Sequence, residues 1–598
     1  MRTLQKILRF AQCMGLLTAL APSLHATPYA AFFEEDVDLM IGFRSLADSR
    51  EAFEDSPFQA IIADPELEAF LEPFLERSKG GDDPSMGEIL ETEFDLDWDE
   101  LFALFPGPLA FALHNVPERI LQEAERSDLT ILAEFSGSAE RLDALMQIQF
   151  ERNASQQKEI NPAIEHTLIE ESFMGEVLYF DEVFDGESTY IEDGYALVDG
   201  IFILATPEAR LRSAVEAIKE GAAAPLAQSE MFLRSREEGG RGDLQMFLNL
   251  GSILPSLNEA MTAKAMSSGA AMFGLSPESI DATFSLESLQ AFFLDFDLIA
   301  DGLESNSGLI FREKAGLLKL LTYTGAPLPD ARYVPEGVFS SSITNFDLGE
   351  MFVELENLLI AASPMMRMQI DAQLQNVKSQ TGVDLRSAIL ENFTEDFVTL
   401  SSLSEGGGAQ RASAIAEPDQ IYVIGIRDSE ALRGAFEALK DKVPGLDGQL
   451  ETKEFAGQTI HTFRPPTEPG AGIQAISYSI SRTHFFLSIG RPEFLQEVLS
   501  QRDRGTDGFW QLGSTEDLFV RIAEDDAITR SFIDLEKVVG TFFTSLVQLS
   551  QAGGPSAVLD PENIPEDFSF PFHLVSEANE AEDGLFSRTL VIVKEDAK

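Results

Sequence analysis

Apolar and polar positions alternate most clearly in residues 194–218, where the pattern predicts a strand, a tight turn, a second strand and a helix. We place the turn at Asp199-Gly200, because glycine tolerates the positive φ that a two-residue hairpin turn requires. We expect Thr206 to cap the helix and Pro207 to take its first position, where no backbone N–H is needed. One apolar helical face follows, formed by Leu211, Ala214, Val215 and Ile218.

The same succession of elements returns in residues 477–499. Apolar residues alternate there with serines, which predicts a half-buried strand, from Ile476, Tyr478 and Ile480 against Ser477, Ser479 and Ser481. A helix opened by Pro492-Glu493 follows a second strand, just as Pro207-Glu208 opens the first helix.

Matching residues recur in the same order along both halves of the chain, which predicts a tandem duplication. The pairs are Val37 with Val338, Leu96 with Leu385, Asp128 with Asp419, Phe173-x-Gly175 with Phe455-x-Gly457, Pro207-Glu208 with Pro492-Glu493, Phe247-x-Asn249 with Phe532-x-Asp534, Leu275–Ile280 with Leu559–Ile564, and Asp301-Gly302 with Asp583-Gly584. Any one of these matches is weak, but eight collinear matches are not. We therefore predict a first repeat at 27–323 and a second at 336–598, joined by a proline-rich linker at 324–335.

The repeats are predicted to have an α+β fold, with antiparallel sheets and packed helices, because hairpin signals are many and βαβ spacings few. Four strand-to-helix corners share one pattern, in which a strand ends and a polar capping residue precedes a helical period. The capping residues are predicted to be Ser45, Asn249, Asn345 and Asp534.

The first 26 residues have the features of an export signal that is cleaved near Ala26. Arg2, Lys6 and Arg9 precede a short apolar core, and small residues follow it. The only cysteine, Cys13, lies inside this signal, so the mature chain would rest on its hydrophobic core without disulfides. We expect a periplasmic or secreted protein with no transmembrane segment in the mature chain.

The charge is strongly acidic, with 101 Asp and Glu against 43 Lys and Arg and a net charge of −58. Removal of the three signal-sequence cations makes it −61. Such a field repels nucleic acid and anionic membranes, and it suits cationic partners, divalent ions or a saline habitat. A solvated acidic surface that keeps an exported protein in solution is the simpler interpretation.

The titratable residues form no recognisable catalytic or metal-binding motif. The five histidines after the signal, none within four residues of another, are His114, His166, His461, His484 and His573, and we expect His484 to lie in a turn that the first half lacks. No zinc-binding spacing, nucleophile elbow or phosphate loop occurs. Two acidic runs invite comparison with calcium sites but lack EF-hand spacing. The first, predicted to crowd one loop with Gly186, is Asp181, Glu182, Asp185 and Glu187, and the second is Asp95, Asp97, Asp99 and Glu100. We therefore predict no catalytic, cofactor or metal residues and no cofactor.

Phenylalanine is abundant, at 46 residues against 8 tyrosines and 2 tryptophans, and its apolar ring favours buried packing. A thick core explains this composition, and a phenylalanine-lined cavity for a lipid or other apolar ligand is the sharper alternative. Three hypotheses remain open at this point: a non-catalytic exported protein that binds or scaffolds an unknown partner, a carrier of an apolar ligand, and an unrecognised hydrolase.

The segment SREAFEDSPFQAIIADPELEAFLEPFLE at 49–76, which follows a strand near Val37, resembles a domain-of-unknown-function family of exported bacterial proteins. The strand pair ALVDGIFILA followed by PEAR is similar to their pattern as well. The resemblance covers most of the first half, while the second half departs from it at Ala362-Ser363-Pro364. It implies export and an α+β fold, and no established activity or catalytic residues.

We predict that the protein binds neither DNA nor RNA at physiological salt. The net charge leaves no basic stripe, whereas counterion release requires clustered lysines and arginines. Filter binding measures this directly, and a dissociation constant tighter than about micromolar would contradict the prediction.

Overall fold

The protein is described by a computed structural model over residues 29–65, 67, 96–116, 128–240, 242–267, 276–403, 419–440, 450–464, 475–524, 526–540 and 569–594. The predicted signal sequence at 1–26, with Cys13, lies outside these residues. The described residues form two compact units, one within 1–62, 74–261 and 287–312, the other within 63–73, 262–286 and 313–598. Each unit combines helices with antiparallel strands, so the predicted mixture of α and β structure is confirmed.

The first unit contains ten described strands. They are β1 (Leu39–Phe43), β2 (Leu109–His114), β3 (Asp128–Glu134), β4 (Glu165–Phe173), β5 (Glu176–Phe184), β6 (Thr189–Val198), β7 (Ile201–Thr206), β8 (Leu244–Asn249), β9 (Leu289–Ile299) and β10 (Gly302–Phe311). Antiparallel pairing places them in the order β4-β5-β6-β7-β3-β2-β1-β8-β9-β10.

Helices connect these strands and cover the sheet. They are α1 (Leu46–Glu54), α2 (Pro57–Ile62), α3 (Trp98–Leu104), α4 (Ala139–Ile160), α5 (Glu208–Glu220) and α6 (Glu230–Gly239), and α7 (Leu250–Ser267) follows β8. The core between sheet and helices is rich in phenylalanine, and Phe105 packs against Phe135 and Phe202 with ring centroids 5.4 and 5.9 Å apart. These rings fill the space between the layers.

The second unit also contains ten described strands. They are β11 (Ser340–Asn345), β12 (Phe393–Ser402), β13 (Asp419–Ile426), β14 (Leu450–Phe455), β15 (Gln458–Phe463), β16 (Ile476–Ile480), β17 (His484–Ile489), β18 (Ala527–Asp534), β19 (Phe572–Ala581) and β20 (Gly584–Val593). Antiparallel pairing gives the order β14-β15-β16-β17-β13-β12-β11-β18-β19-β20.

The helices of the second unit are α8 (Pro277–Phe284), α9 (Leu348–Ala362), α10 (Pro364–Thr381), α11 (Leu385–Ala388), α12 (Ser429–Lys440), α13 (Pro492–Arg504) and α14 (Gly513–Phe519). Phe485 joins its core between Phe393 and Phe436, with centroid distances of 6.5 and 5.4 Å. Among the helices that the structure describes, none has the length and apolar character needed to cross a lipid bilayer.

The hairpin predicted at Asp199-Gly200 is confirmed. β6 ends at Val198 and β7 begins at Ile201, and both turn residues have positive φ, 51° and 83°. The apolar face predicted for the following helix is buried at Leu211, Ala214 and Val215 and half-buried at Ile218. The hydrophobic period therefore identified the buried side of α5.

The prediction that Thr206 caps α5 is wrong. Pro207 occupies the N-cap position and the helix begins at Glu208. The Thr206 hydroxyl instead donates a hydrogen bond to the backbone carbonyl oxygen of Glu192, at 3.2 Å. A hydroxyl that can cap a helix can equally form a hydrogen bond with the backbone of a neighbouring strand. Here the Thr206 hydroxyl bonds to strand β6.

Two of the other predicted corners have different outcomes, because a polar side chain can bond either to a helix N-terminus or to another part of the backbone. Ser45 caps α1 as predicted, accepting a hydrogen bond from the Asp48 backbone N–H at 3.1 Å. Asn345 does not cap α9, because its side-chain amide donates to the Ala326 carbonyl oxygen at 2.6 Å. Asp347 caps that helix instead, two residues further along the chain.

The remaining two corners follow the prediction. The Asn249 side chain accepts from the Ser252 backbone N–H at 3.2 Å, and Asp534 accepts from the Lys537 backbone N–H at 3.4 Å. Each bond satisfies one of the free N–H groups in the first turn after a strand.

The predicted strand at 476–480 is confirmed as β16, and its serines form the more buried side. Ser477 and Ser479 are 1% and 0% exposed, whereas Ile476 and Tyr478 are half-buried. The Ser479 hydroxyl donates to the Thr459 carbonyl oxygen at 3.0 Å, so the small polar residues face a neighbouring strand with their hydrogen bonds satisfied.

The segment 324–335, predicted as a linker, carries buried side chains in the second unit. Ala331, Tyr333 and Val334 are at most 5% exposed, and the Val334 carbonyl oxygen accepts from the Phe509 backbone N–H at 2.9 Å. The domain boundaries at 323 and 336 stay predictions.

Each unit buries a carboxylate on the strand next to its last one and holds it with an arginine. Asp295 on β9 is fully buried, and Arg236 of α6 donates to both its oxygens, at 2.8 and 3.0 Å. On β19, Glu577 is 2% exposed and accepts from Arg530 at 2.6 Å. A buried carboxylate is tolerated only while such a partner compensates its charge.

We expect Arg236→Met to lower the free energy of unfolding of the first unit by about 3–5 kcal/mol, because it leaves Asp295 buried without its partner. Urea unfolding followed by circular dichroism measures the loss. Arg50→Met is the control, because Arg50 makes its ion pairs with Glu54 and Asp99 at the surface, where they contribute less than about 1 kcal/mol.

The double variant Arg236→Met/Asp295→Leu tests the cause. Removing the buried charge together with its partner should recover most of the loss. If Arg236→Met costs no more than Arg50→Met, the ion pair is not what stabilises this part of the sheet.

Candidate functional site

His166 lies near the start of β4, at the edge of the first unit's sheet. Its side chain is only 1% exposed, and helix α4 covers it through the ring of Phe150, which meets the imidazole edge-on at 6.2 Å. Helix α4 is positioned by the cap at Ser138 and by Leu142 and Leu145, which are buried. The histidine is thus enclosed by a sheet on one side and a helix on the other.

Asp181 on β5 is the direct partner of this histidine. His166 is paired across the strands with Val183, and Leu168 with Asp181, so the imidazole reaches Asp181 diagonally on the same face. The imidazole Nδ1 lies 2.9 and 3.0 Å from the two Asp181 carboxylate oxygens, and the Asp181 side chain is 7% exposed.

A β-bulge brings a second carboxylate to the same place. Phe180 pairs with Gly194 and Glu182 pairs with Ile191, so two residues of β6, Glu192 and Asp193, face Asp181 alone. The extra residue breaks the usual alternation and re-aims the side chains on β6.

Glu192 therefore joins His166 and Asp181, and one donor atom from each of the three lies within 4.8 Å of the others. Gln157 of α4 donates its side-chain amide to the Glu192 carboxylate at 3.2 Å. The Thr206 hydroxyl holds the Glu192 backbone from the other side. These contacts fix both ends of Glu192, which is half-buried.

The site is rich in negative charge for its burial. Burial raises the pKa of Asp181, and repulsion from Glu192 adds to the rise, whereas His166 lowers it. Burial raises the pKa of Asp193 to about 7, and the negative charges of Asp181 and Glu192 add to the rise. Among the described groups that shift these two pKa values, His166 alone carries a positive charge when protonated.

The second nitrogen of His166 is unsatisfied. Nε2 is buried, and no atom of the described residues forms a hydrogen bond with it. A buried polar atom without a partner is unusual in a folded protein, and it is found where water, an ion or a ligand completes the environment.

The structure places the other histidines in separate surroundings. His114 lies 3.1 Å from Asp36, which Arg210 also holds. His461 stacks on Tyr478 with ring centroids 4.7 Å apart.

His484, predicted to lie in a turn, begins strand β17, and the turn is formed by the residues before it. Its Nδ1 lies 2.9 Å from the Thr483 hydroxyl, and its Nε2 lies 3.7 Å from Asp396. His573 on β19 packs against Phe532 with ring centroids 5.1 Å apart.

The acidic runs do not converge on a calcium-like site. Asp181 and Glu182 lie within β5, whereas Asp185 and Glu187 follow that strand. The Asp185 carboxylate accepts from the backbone N–H groups of Glu187 and Ser188, which explains it as a turn residue. The predicted grouping of all four in one loop is therefore wrong, because two of them belong to a strand with alternating faces.

The second acidic run stabilises a helix. Asp97 and Glu100 form a reciprocal capping box at the start of α3, and Asp99 pairs with Arg50. Asp95 lies outside the described residues. The arrangement is that expected of a helix N-terminus, where acidic residues are favoured.

An open groove of about 330 Å³ lies in the second unit. Both charge signs and hydroxyl groups line it, and phenylalanine is not among its described lining residues, which are Lys314, Lys319, Leu321, Thr322, Tyr323, Thr324, Asp347, Glu350 and Glu354. Because charged side chains of both signs line it, this groove differs from the phenylalanine-lined cavity expected of a lipid carrier.

The site could not be predicted from the sequence because its assembly depends on a bulge and on the register of three strands. From the sequence we named His166 without a partner, grouped Asp181 with Glu182, Asp185 and Glu187, and did not name Glu192. The signal that was present is Gly194 after two acids inside an otherwise strand-like run, since an isolated glycine in a strand suggests a bulge or a close approach. A Cβ at Gly194 would lie 2.5 Å from the Phe180 ring, so the close approach is real.

The pair His114–Asp36 generates a pH prediction. Hydrogen bonding to His114, with help from its charge and that of Arg210, lowers the pKa of Asp36 from 3.8 to about 2 despite its partial burial. Because the folded-state pKa is the lower one, the ionised carboxylate stabilises the fold above about pH 4, and this contribution disappears as the pH falls towards 2. Asp36→Asn should therefore lower stability at pH 5–7 and lose its effect in acid.

Urea unfolding midpoints of wild type and Asp36→Asn, measured across this pH range, check the expectation. Glu51→Gln, at an exposed position on α1, is the control and should show no such pH-dependent difference. A difference between wild type and Asp36→Asn that stays constant down to the acid limit of folding would refute it.

Comparisons with known proteins add little to this geometry. No family model matches the chain, and no curated protein matches it. Among solved structures it is similar to crystal form I of TP0453, at 8% identity over 48% of this chain and 80% of that one, with a TM-score of 0.21. Crystal forms III and IV of TP0453 align at 10% identity over 44% and 46% of this chain and 80% and 98% of those chains, with TM-scores of 0.21 and 0.20. At these scores, no property of TP0453 is transferred to this chain.

Proposed function

We propose that the protein is an exported, non-catalytic binding protein that arose by tandem duplication of an α+β unit, and that its binding site lies in the first copy. The observation that carries this proposal is the cluster of His166, Asp181 and Glu192, which a bulge and a covering helix assemble inside the first unit. Export is supported by the sequence of residues 1–26.

The duplication is supported by the strand orders of the two units. Each described strand of the first unit has a counterpart at the same place in the second, so that β1 corresponds to β11 and β10 to β20. The recurring residues fall at equivalent points: Phe173 and Phe455 both end a strand before a hairpin turn.

Among the described residues, only the first copy contains such a cluster. By the matching registers, Phe463 takes the place of Asp181 and Ala475 that of Glu192. This difference is expected if the whole unit was duplicated first and one copy then acquired a binding site.

Binding is favoured over catalysis by the groups that touch His166. They are the Asp181 carboxylate and the Phe150 ring, and neither is a nucleophile for a histidine to activate. The hydrolase alternative finds its best place at His484, beside the Thr483 hydroxyl. There the carboxylate of Asp396 lies 3.7 Å away, beyond hydrogen-bond distance, so among the described carboxylates none orients this imidazole as a catalytic triad requires.

The carrier alternative is supported less well. The phenylalanines of both units pack against one another, as in a filled core, and the groove in the second unit is polar. Two observations thus point away from a lipid-sized apolar cavity in the described residues.

Native mass spectrometry of the protein, purified without chelators, tests the proposal. We expect a stoichiometric small ligand that is retained under native conditions and released on unfolding. The bare polypeptide mass under every native condition, with divalent metal ions added as well as without them, would overturn the binding function, and a bound lipid would replace it with the carrier alternative. The variant Gly194→Val is a useful comparison, because its side chain would collide with Phe180 at the bulge and should abolish retention.

A further inference from the structure

The enclosed cluster of His166, Asp181 and Glu192 has the composition of a metal-binding site. It offers one imidazole nitrogen and two carboxylates from three adjacent strands, each with a donor atom within 4.8 Å of the others. Two donors bound to one zinc ion at about 2.0–2.2 Å lie roughly 3–4 Å apart, so small side-chain rotations bring all three into contact with one ion. The Nδ1 and Asp181 oxygen atoms already lie 2.9 Å apart.

Two independent features point to a bound species rather than a simple hydrogen-bonded cluster. The first is the burial of two of the donors, since the side chains of His166 and Asp181 are only 1% and 7% exposed. The second is the bulge, which turns Glu192 towards Asp181 although two carboxylates repel each other. In a site of this kind a cation offsets the repulsion that the backbone has imposed.

The charges agree with a dication. The bulge places Glu192 and Asp193 opposite Asp181, and the imidazole supplies at most one positive charge. Gln157 contributes only a neutral amide. A dication would neutralise the excess and order the three strands.

We propose that His166, Asp181 and Glu192 bind a single first-row divalent transition-metal ion, for which zinc is the reference. The inference rests on the proposed binding function and names the class of ligand. The imidazole argues against calcium and magnesium, which take oxygen ligands, and it suits zinc and its neighbours. The Gln157 amide would not bind the ion itself, but it would orient the Glu192 carboxylate through its hydrogen bond.

Isothermal titration with Zn²⁺, after chelator treatment and removal of the chelator, tests the assignment. Physiological salt and millimolar Ca²⁺ should be present, so that the many surface carboxylates are screened or occupied. We expect one tight zinc site per chain and a rise of the thermal unfolding midpoint on loading. Glu192→Gln and His166→Gln should each weaken zinc binding at least about tenfold.

Two controls separate this site from unspecific binding. His461→Gln removes a histidine that stacks on Tyr478 in the second unit, and Asp185→Asn removes a nearby carboxylate that serves a turn. Both should bind zinc as wild type does. Glu192→Gln preserves size and keeps the partner of Gln157, so it stays informative if His166→Gln fails to fold.

Weak multi-site binding that is equal in all variants would overturn the metal site, as would a tight site that survives in Glu192→Gln and His166→Gln. Neither result would contradict the proposed binding function if native mass spectrometry shows another small ligand. Conversely, a bare mass together with zinc-dependent stabilisation would reject only the claim that a ligand is retained during purification, and the metal site would stand.

Discussion

The fold depends on carboxylates that the sheet buries and arginines that hold them. Asp295 lies between strands with no exposed surface, and the end of helix α6 packs so closely on it that a Cβ at Gly239 would lie 2.5 Å from its oxygen. The glycines near Asp295 allow helix α6 to approach this carboxylate closely, and Arg236 compensates its negative charge. Both are therefore needed at this position. In the second unit, Glu577 and Arg530 meet the same constraint from neighbouring strands.

Similar contacts account for the residues just before strand β8. Gly242-Asp243, in what reads as a glycine-rich turn, belongs to the same region, where Arg44 pairs with Asp243 at 3.1 Å and a Cβ at Gly242 would crowd Asp295. Burial raises the pKa of Asp243 to about 7, and repulsion from Asp297 adds to the rise, while Arg44 lowers it. A perturbed carboxylate inside a sheet is thus architectural here, whereas the carboxylates around His166 lack such an arginine among the groups that shift them.

Much of the fold follows from the sequence, because local physics decides it. The Asp199-Gly200 hairpin, the buried face of α5 and the cap at Ser45 depend on neighbouring residues, and their patterns predicted them correctly. Thr206 and Asn345 were misassigned because their polar groups had two possible partners, and only the tertiary fold selects between them. The candidate site was harder still: His166 and Glu192 are far apart in sequence, and their meeting requires the register of three strands and one extra residue in β6.

That extra residue has an evolutionary consequence. Deleting Asp193 would restore regular alternation in β6 and leave Glu192 directly opposite Asp181 on the same face, while the ladder on either side, at Gly194 and Ile191, could close without a gap. Deleting Glu192 instead would place Asp193 opposite Asp181, so the loss of either residue keeps one carboxylate beside Asp181. The insertion therefore adds a second acidic residue next to Asp181 without turning the strand over, so a change of one codon alters the charge of the cluster at little cost to the sheet.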